Sequence, residues 1–284
     1  MTTGESAPPT VVDAHHHLWD LDRFDYPWMP PGENVLRKTY LPEHLAPHLK
    51  RTGADKAVVV QAQHSVEEAG WLLDLAEAND FMAGVVAWVD LTSRNVGDVL
   101  DGLLQRTGLV GIRHLVHDEP DDRWLLRDDV IRGLRELARR GLAYDLLLRP
   151  QHLQYVAPLA EKVPDLRMVV DHIAKPLIAA GTMEPWATDI AAVAALPSVY
   201  CKVSGMVTET DMANWTVEDL KPYMAHVIEH FGFDRLMFGS DWPVCLLAGT
   251  YKQVFEATLA AAGSISDDDR AALMGGNATA FYRL

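Results

Sequence analysis

The chain has 284 residues, with 25 Lys or Arg against 40 Asp or Glu, a formal net charge of −15, and 49% hydrophobic residues. An acidic surface of this size keeps a protein soluble and argues against nucleic acid as a partner, because phosphates need basic patches. No apolar run reaches the roughly 18 residues of a membrane span, so no membrane partner is expected.

Residues 1–10 are polar and proline-bearing, with no apolar core of a signal peptide, and read as a disordered lead-in. Cys201 and Cys245 form no CxxC pair and suggest no disulfide framework. A cytoplasmic location is the simplest expectation.

The run Val11-Val12-Asp13-Ala14-His15-His16-His17 opens the structured part. On a strand, residues i and i+2 share a face, so His15 and His17 project together while His16 points elsewhere. Paired imidazoles on a rigid strand suit a divalent metal such as zinc. A purification tag is the bland alternative, but this cluster follows an apolar run and leads into Leu18-Trp19.

Short β-rich runs are predicted at 11–17, 56–63, 81–89, 109–116, 143–148, 167–173, 199–204 and 235–242. Most are continuous apolar stretches, such as Ala57-Val58-Val59-Val60, the mark of strands buried on both faces. Helical spacing separates them. Residues 67–78 align Trp71, Leu72, Leu75 and Ala76; 129–140 align Ile131, Leu134, Leu137 and Ala138; 217–231 align Leu220, Met224, Val227, Ile228 and Phe231. Thr216 with Asp219 is a capping pair. Ser266 opens a late helix that Gly275-Gly276 is expected to close.

Eight β-then-α units predict one (β/α)8 TIM-like barrel, distorted or regular, as a single domain over residues 11–284. The rival is a doubly wound open sheet, which offers a glycine-rich loop after its first strand; here that strand ends in histidines. Residues 18–55, with Trp19, Tyr26 and Trp28, read as an elaborated loop over the barrel mouth.

Polar residues collect at the predicted strand ends: His15 and His17; Gln61, Gln63 and His64; Arg113, His114 and His117; Asp145; Asp171 and His172, then Lys175; Lys202 and Ser204; and Ser240, Asp241 and Trp242. In a barrel these ends ring one cavity. Trp28, Gln61, Gln63, Arg113, Asp145, Lys175, Lys202, Ser204 and Trp242 are candidate substrate contacts. Asp171 should face away from His172 and make a structural hydrogen bond. His64, His117 and His152 read as loop or surface residues.

The opening Asp-x-His-x-His, a histidine ending strand six and an aspartate ending strand eight resemble the amidohydrolase superfamily. Asp171-His172-Ile173-Ala174-Lys175-Pro176, Cys201-Lys202-Val203-Ser204-Gly205, Phe238-Gly239-Ser240-Asp241-Trp242-Pro243 and the closing Gly275-Gly276-Asn277-Ala278 narrow the likeness. They resemble the amidohydrolase-related branch that holds sugar-acid lactonases such as L-fuconolactonase and L-rhamnono-lactonase. The resemblance runs from Val11 to Leu284. It implies water-driven hydrolysis in a distorted barrel, with His15, His17, His172 and Asp241 as site core and metal ligands. Many superfamily members add a strand-five histidine and a strand-four lysine or glutamate to hold two metals. Here those strands offer Asp145 and Arg113-His114, so one divalent ion, zinc first, or none is expected.

Opening a lactone needs a base for water, a stabiliser for the carbonyl oxygen and an acid for the leaving ring oxygen. Asp241 is expected as general base and then acid, and His172 with Lys175 or Arg113 as the oxyanion side. The expected partner is a neutral sugar lactone; assembly into a homo-oligomer stays open. Two rivals stand beside this: a metal-dependent decarboxylase of an aromatic or unsaturated carboxylic acid, and a non-catalytic barrel that binds a sugar acid.

Overall fold

The computed structural model describes residues 9–284; of the lead-in expected over 1–10, residues 1–8 lie outside the described residues. Eight strands form one parallel sheet in sequence order: β1 (Val12–His16), β2 (Lys56–Val60), β3 (Met82–Ala87), β4 (Leu109–His114), β5 (Ala143–Leu146), β6 (Arg167–Val170), β7 (Val199–Val203) and β8 (Leu236–Phe238). The helices are α1 (Pro42–Thr52), α2 (Val66–Ala78), α3 (Val96–Leu103), α4 (Asp128–Arg139), α5 (Val156–Lys162), α6 (Trp186–Ala194), α7 (Val217–Phe231), α8 (Tyr251–Ala262), α9 (Asp267–Ala271) and α10 (Asn277–Tyr282). This is a (β/α)8 barrel. Each predicted strand is present but ends one to four residues early, the chain turning out of the ladder into the loops of the barrel mouth. Among the described residues no helix is long and apolar enough to cross a membrane.

The apolar runs are buried on both faces, with Ala57, Val58, Val59 and Val60 all at 0% exposure. Their outer sides pack under the helices, against Leu72 of α2 and Leu134 and Leu137 of α4. Inside, Val12, Val58, Val86, Val169 and Met237 meet Phe281 and Tyr282 of α10. That helix plugs the barrel at the strand starts, where Phe281 packs on Tyr200 with ring centroids 4.9 Å apart. Thr216 and Asp219 cap α7 as expected, the Thr216 amide donating to Asp219 Oδ2 at 2.7 Å. Gly275 breaks the late helix as expected, its φ of 178° and ψ of −36° lying outside the helical region. After Ser266 and α9, a π-helical turn over Ala272–Gly276, kinked at Gly275, leads into α10.

Barrel closure involves the chemistry-bearing segments themselves. β8 is only three residues long, and the seam to β1 is made beyond it: Asp241 N–H donates to His15 O at 2.8 Å and His17 N–H to Trp242 O at 2.7 Å. Gly239 permits this approach, since a Cβ there would sit 2.6 Å from the His15 Cβ. The buried Asp13 carboxylate accepts from Ser240 N at 2.8 Å, and burial pushes its pKa up to about 6.

Two backbone irregularities aim side chains inward. A register shift lies between Asp13 and His16 in the β1–β2 pairing. Such a bulge re-aims the side chains that follow it, and Asp13 faces α8 while His15 and His17 face the interior. The second follows β6: His172, Ile173, Ala174 and Lys175 all have φ between 47° and 60°. The left-handed region costs an ordinary residue about 1–2 kcal/mol, and such strain concentrates at functional sites.

Candidate active site

A cavity of about 280 Å³ opens at the carboxyl ends of the strands. Its floor is His17, His172 and Asp241, and its walls include Trp28, Ala62, Arg113, His117, Asp118 and Lys175. His17 Nε2 lies 3.2 Å from His15 Nε2 and 3.3 Å from Asp241 Oδ1, and His15 Nε2 lies 3.8 Å from that same oxygen. His172 Nε2 is 3.9 Å from Asp241 Oδ1. The structure thus brings together the two imidazoles of the first strand, the histidine after the sixth and the aspartate after the eighth. Asp241 reaches this point with φ of 55°.

Each group is held from behind. His17 Nδ1–H donates to Val60 O at 2.8 Å. His172 Nδ1 lies 2.9 Å from Ser204 Oγ, and Gly205 beneath it leaves room for the ring. His15 Nδ1 faces Asp171 Oδ1 at 3.3 Å. Below them runs a fully buried ionic layer: Lys202 Nζ is 2.5 Å from Asp145 Oδ2 and 3.1 Å from Asp171 Oδ1, and Tyr282 donates to Asp145 Oδ2 at 2.7 Å. Arg113 donates to Gln61 O at 2.6 Å and reaches Asp171 at 3.4 Å.

Burial drives the His15 and His172 pKa values well below the imidazole norm, so both rings are neutral. Burial raises the Asp241 carboxyl, but His172, His17 and Lys175 outweigh it and hold the group below its ordinary range. Asp171 is likewise held well below: burial raises it, and Lys202, His15 and Arg113 more than compensate. Burial leaves Asp145 raised to about 6 despite Lys202.

Several candidate contacts stand elsewhere than expected. Asp145 and Lys202 are 0% exposed and neutralise each other beneath the cavity, too deep to touch a substrate. Ser204 is buried behind His172 and supports it. Gln61 is buried beside Arg113, its Nε2 donating to Arg113 O at 3.5 Å; Ala62 takes its place in the wall. Trp242 packs on Tyr40 and His48, centroids 5.1 and 5.9 Å away, outside the cavity. Gln63 lines a neighbouring outer cavity instead. Trp28, Arg113 and Lys175 do line the inner one; Lys175 is paired with Glu209 at 2.9 Å. Asp171 contradicts the parity expectation, because the left-handed turn after it swings His172 to the same side. His117, read as a loop residue, lines the wall and is held neutral, burial and nearby cations lowering its pKa to about 3. No strand pattern marks it, since it follows β4 in a one-turn helix.

The amidohydrolase family model matches residues 12–284. The chain belongs to the amidohydrolase family. It is 37% identical to the L-fucono-1,5-lactonase of Burkholderia ambifaria, over 96% of this chain and 95% of the relative. A second L-fucono-1,5-lactonase, from Burkholderia multivorans, is 34% identical over 96% of both chains. Among solved structures, an amidohydrolase from Burkholderia multivorans with bound zinc superposes with a TM-score of 0.92 at 33% identity, covering 97% of this chain and 99% of that one.

Whether these residues suit an amidohydrolase metal is decided by the donor set. His17 donates its Nδ1 proton to a carbonyl, which turns the Nε2 electron pair to the cavity. His15 presents Nε2 to the same point, its Nδ1 lying between Asp171 Oδ1 at 3.3 Å and Lys202 Nζ at 3.2 Å; partners on the far nitrogen are the second-sphere arrangement that orients metal-bound histidines. Two imidazole nitrogens and a carboxylate oxygen lie 3.2–3.8 Å apart as one compact donor set. About 3.3 Å is the ligand spacing that bonds of 2.0–2.1 Å give in a tetrahedron. The residues fit one divalent ion.

Proposed function

We propose that this amidohydrolase is a lactonase that opens a neutral sugar-acid lactone by attack of water, one domain over residues 11–284 carrying the whole site. The convergence of His15, His17, His172 and Asp241 on the cavity floor carries the reading, and the likeness to L-fucono-1,5-lactonases over nearly the full chain supports it. His15, His17 and Asp241, with His172 beside them, would hold one divalent ion, zinc being the first candidate. When bound it would supply Lewis acidity next to the water and the carbonyl.

Asp241 is the general base. It takes a proton from water as the oxygen bonds to the carbonyl carbon. The same carboxyl then passes that proton to the ring oxygen as its bond to that carbon breaks. His172, Arg113 and Lys175 face the cavity where the carbonyl oxygen gains charge. Trp28 offers an aromatic wall for the ring.

The charge layout favours a neutral substrate over an aromatic acid. Arg113 is engaged by Asp171 and the Gln61 carbonyl, and Lys175 by Glu209. Little free cationic capacity is left for a substrate carboxylate, which a decarboxylase must anchor. A panel of aldonolactones followed by acid release, with and without a chelator, tests the proposal. Turnover on a lactone, lost on chelation, is expected; inertness to every lactone, with carbon dioxide released from an aromatic acid, would reject it.

A further inference from the structure

The inner cavity does not end at Trp28. A second cavity of about 460 Å³ continues outward and shares Trp28, Ala62, Leu115 and Asp118 with it. Trp28 stands at the junction. Its indole N–H donates to Ala62 O at 2.7 Å, and its ring meets Trp19 edge-on at 5.5 Å. Held this way it still shows 37% of its surface, a rigid aromatic face.

Gln63 Oε1 is buried without a hydrogen-bond partner. His64 is locked by stacking on Trp88 and His114, with centroids 5.2 and 4.5 Å away. Its Nε2 accepts from Leu115 N at 3.3 Å, which leaves Nδ1–H as a donor. Burial and the nearby His114 and Arg113 lower its pKa to about 4, so the ring is neutral. Asp118 and Glu119 add carboxylate acceptors, and no Lys or Arg lines this cavity among the described residues.

A fixed aromatic face, an amide oxygen without a partner, a neutral imidazole donor and carboxylates suit hydroxyl groups and repel anions. The inner cavity, at about 280 Å³, has room for a single sugar ring, so whatever fills the outer one is an additional unit. We infer that the outer cavity is a glycosyl subsite, and that the preferred substrate is an aldonolactone carrying a second neutral sugar, its lactone carbonyl turned inward to Asp241. This rests on the lactonase reading. The glycosidic bond stays intact; only the lactone is cleaved.

The test compares kcat/KM for glucono-1,5-lactone with cellobiono-1,5-lactone and melibiono-1,5-lactone, which add one hexose at O4 or O6 of the same ring. At least one disaccharide lactone should be hydrolysed about tenfold more efficiently than the monosaccharide. Gln63→Ala and His64→Ala should each erase most of that preference through KM, lowering the disaccharide value severalfold more than the monosaccharide value. Two results overturn the subsite while leaving the lactonase reading intact: monosaccharide lactones turned over with no gain from the second sugar, or both variants depressing the two sizes equally. Failure to hydrolyse any lactone of either size overturns both.

Discussion

The Asp171 carboxylate sits 3.3 Å from His15 Nδ1, with both side chains wholly buried. Asp171 therefore helps to hold the His15 ring, together with Lys202 Nζ at 3.2 Å from the same nitrogen, while also balancing Lys202 and Arg113. Asp171→Asn keeps the shape and removes the charge. Zinc affinity is expected to fall about 10–100-fold, the usual effect of losing such a partner. A competitive chelator titration measures it, and unchanged affinity would show that His15 is oriented by other contacts.

Asp241→Asn removes the general base. The variant should fold with a near-native thermal midpoint, because the seam bond uses the Asp241 backbone and not its side chain. Turnover should drop by ~100-fold or more. A folded variant with near-native turnover would exclude Asp241 from proton transfer.

Metal content should be one ion per chain. Asp145 lies in the layer beneath the cavity, its Oδ2 already taken by Lys202 and Tyr282. The Arg113 guanidinium lies 3.4 Å from His15 Nε2, a fixed positive charge beside the donor set. Elemental analysis after dialysis against zinc checks this; two tightly held ions would refute it.

Glu68 links stability to pH. Its Oε2 accepts from Ala62 N and Gln63 N at 3.0 Å each, holding the wall beside Trp28. Burial outweighs those bonds and pushes the pKa from 4.5 to about 7. A carboxyl raised on folding binds its proton more tightly in the native state. Its contribution is full below pH 4.5 and is lost as pH rises through about 7, by about 3 kcal/mol from linkage. Urea unfolding across pH 4.5–8 should therefore show a shallower decline for Glu68→Gln than for the native chain. Parallel curves would place the titration elsewhere.

The barrel was legible because strands buried on both sides read as unbroken apolar runs, as Val58-Val59-Val60 does. The grouping of His15, His17, His172 and Asp241 was legible because polar residues ending apolar strands have one mouth to share. Depth was not. Alternation assigns Lys202 and Asp145 to the inner face but carries no information on height along the barrel axis, and both lie below the cavity rather than in it. Parity also assumes extended backbone, which the left-handed turn at His172 breaks. Trp242 escaped for a related reason: its backbone closes the seam, and that turns the indole outward against Tyr40.

The seam has an evolutionary consequence. The atoms that weld the first strand to the last belong to His15, His17, Asp241 and Trp242, so catalytic competence and barrel integrity share the same short stretch of peptide. A side-chain replacement there can spare the seam, but any change that moves this backbone alters both. New specificities have to be sought in the outer walls, and slow amide exchange at His17 and Asp241 would report on both properties at once.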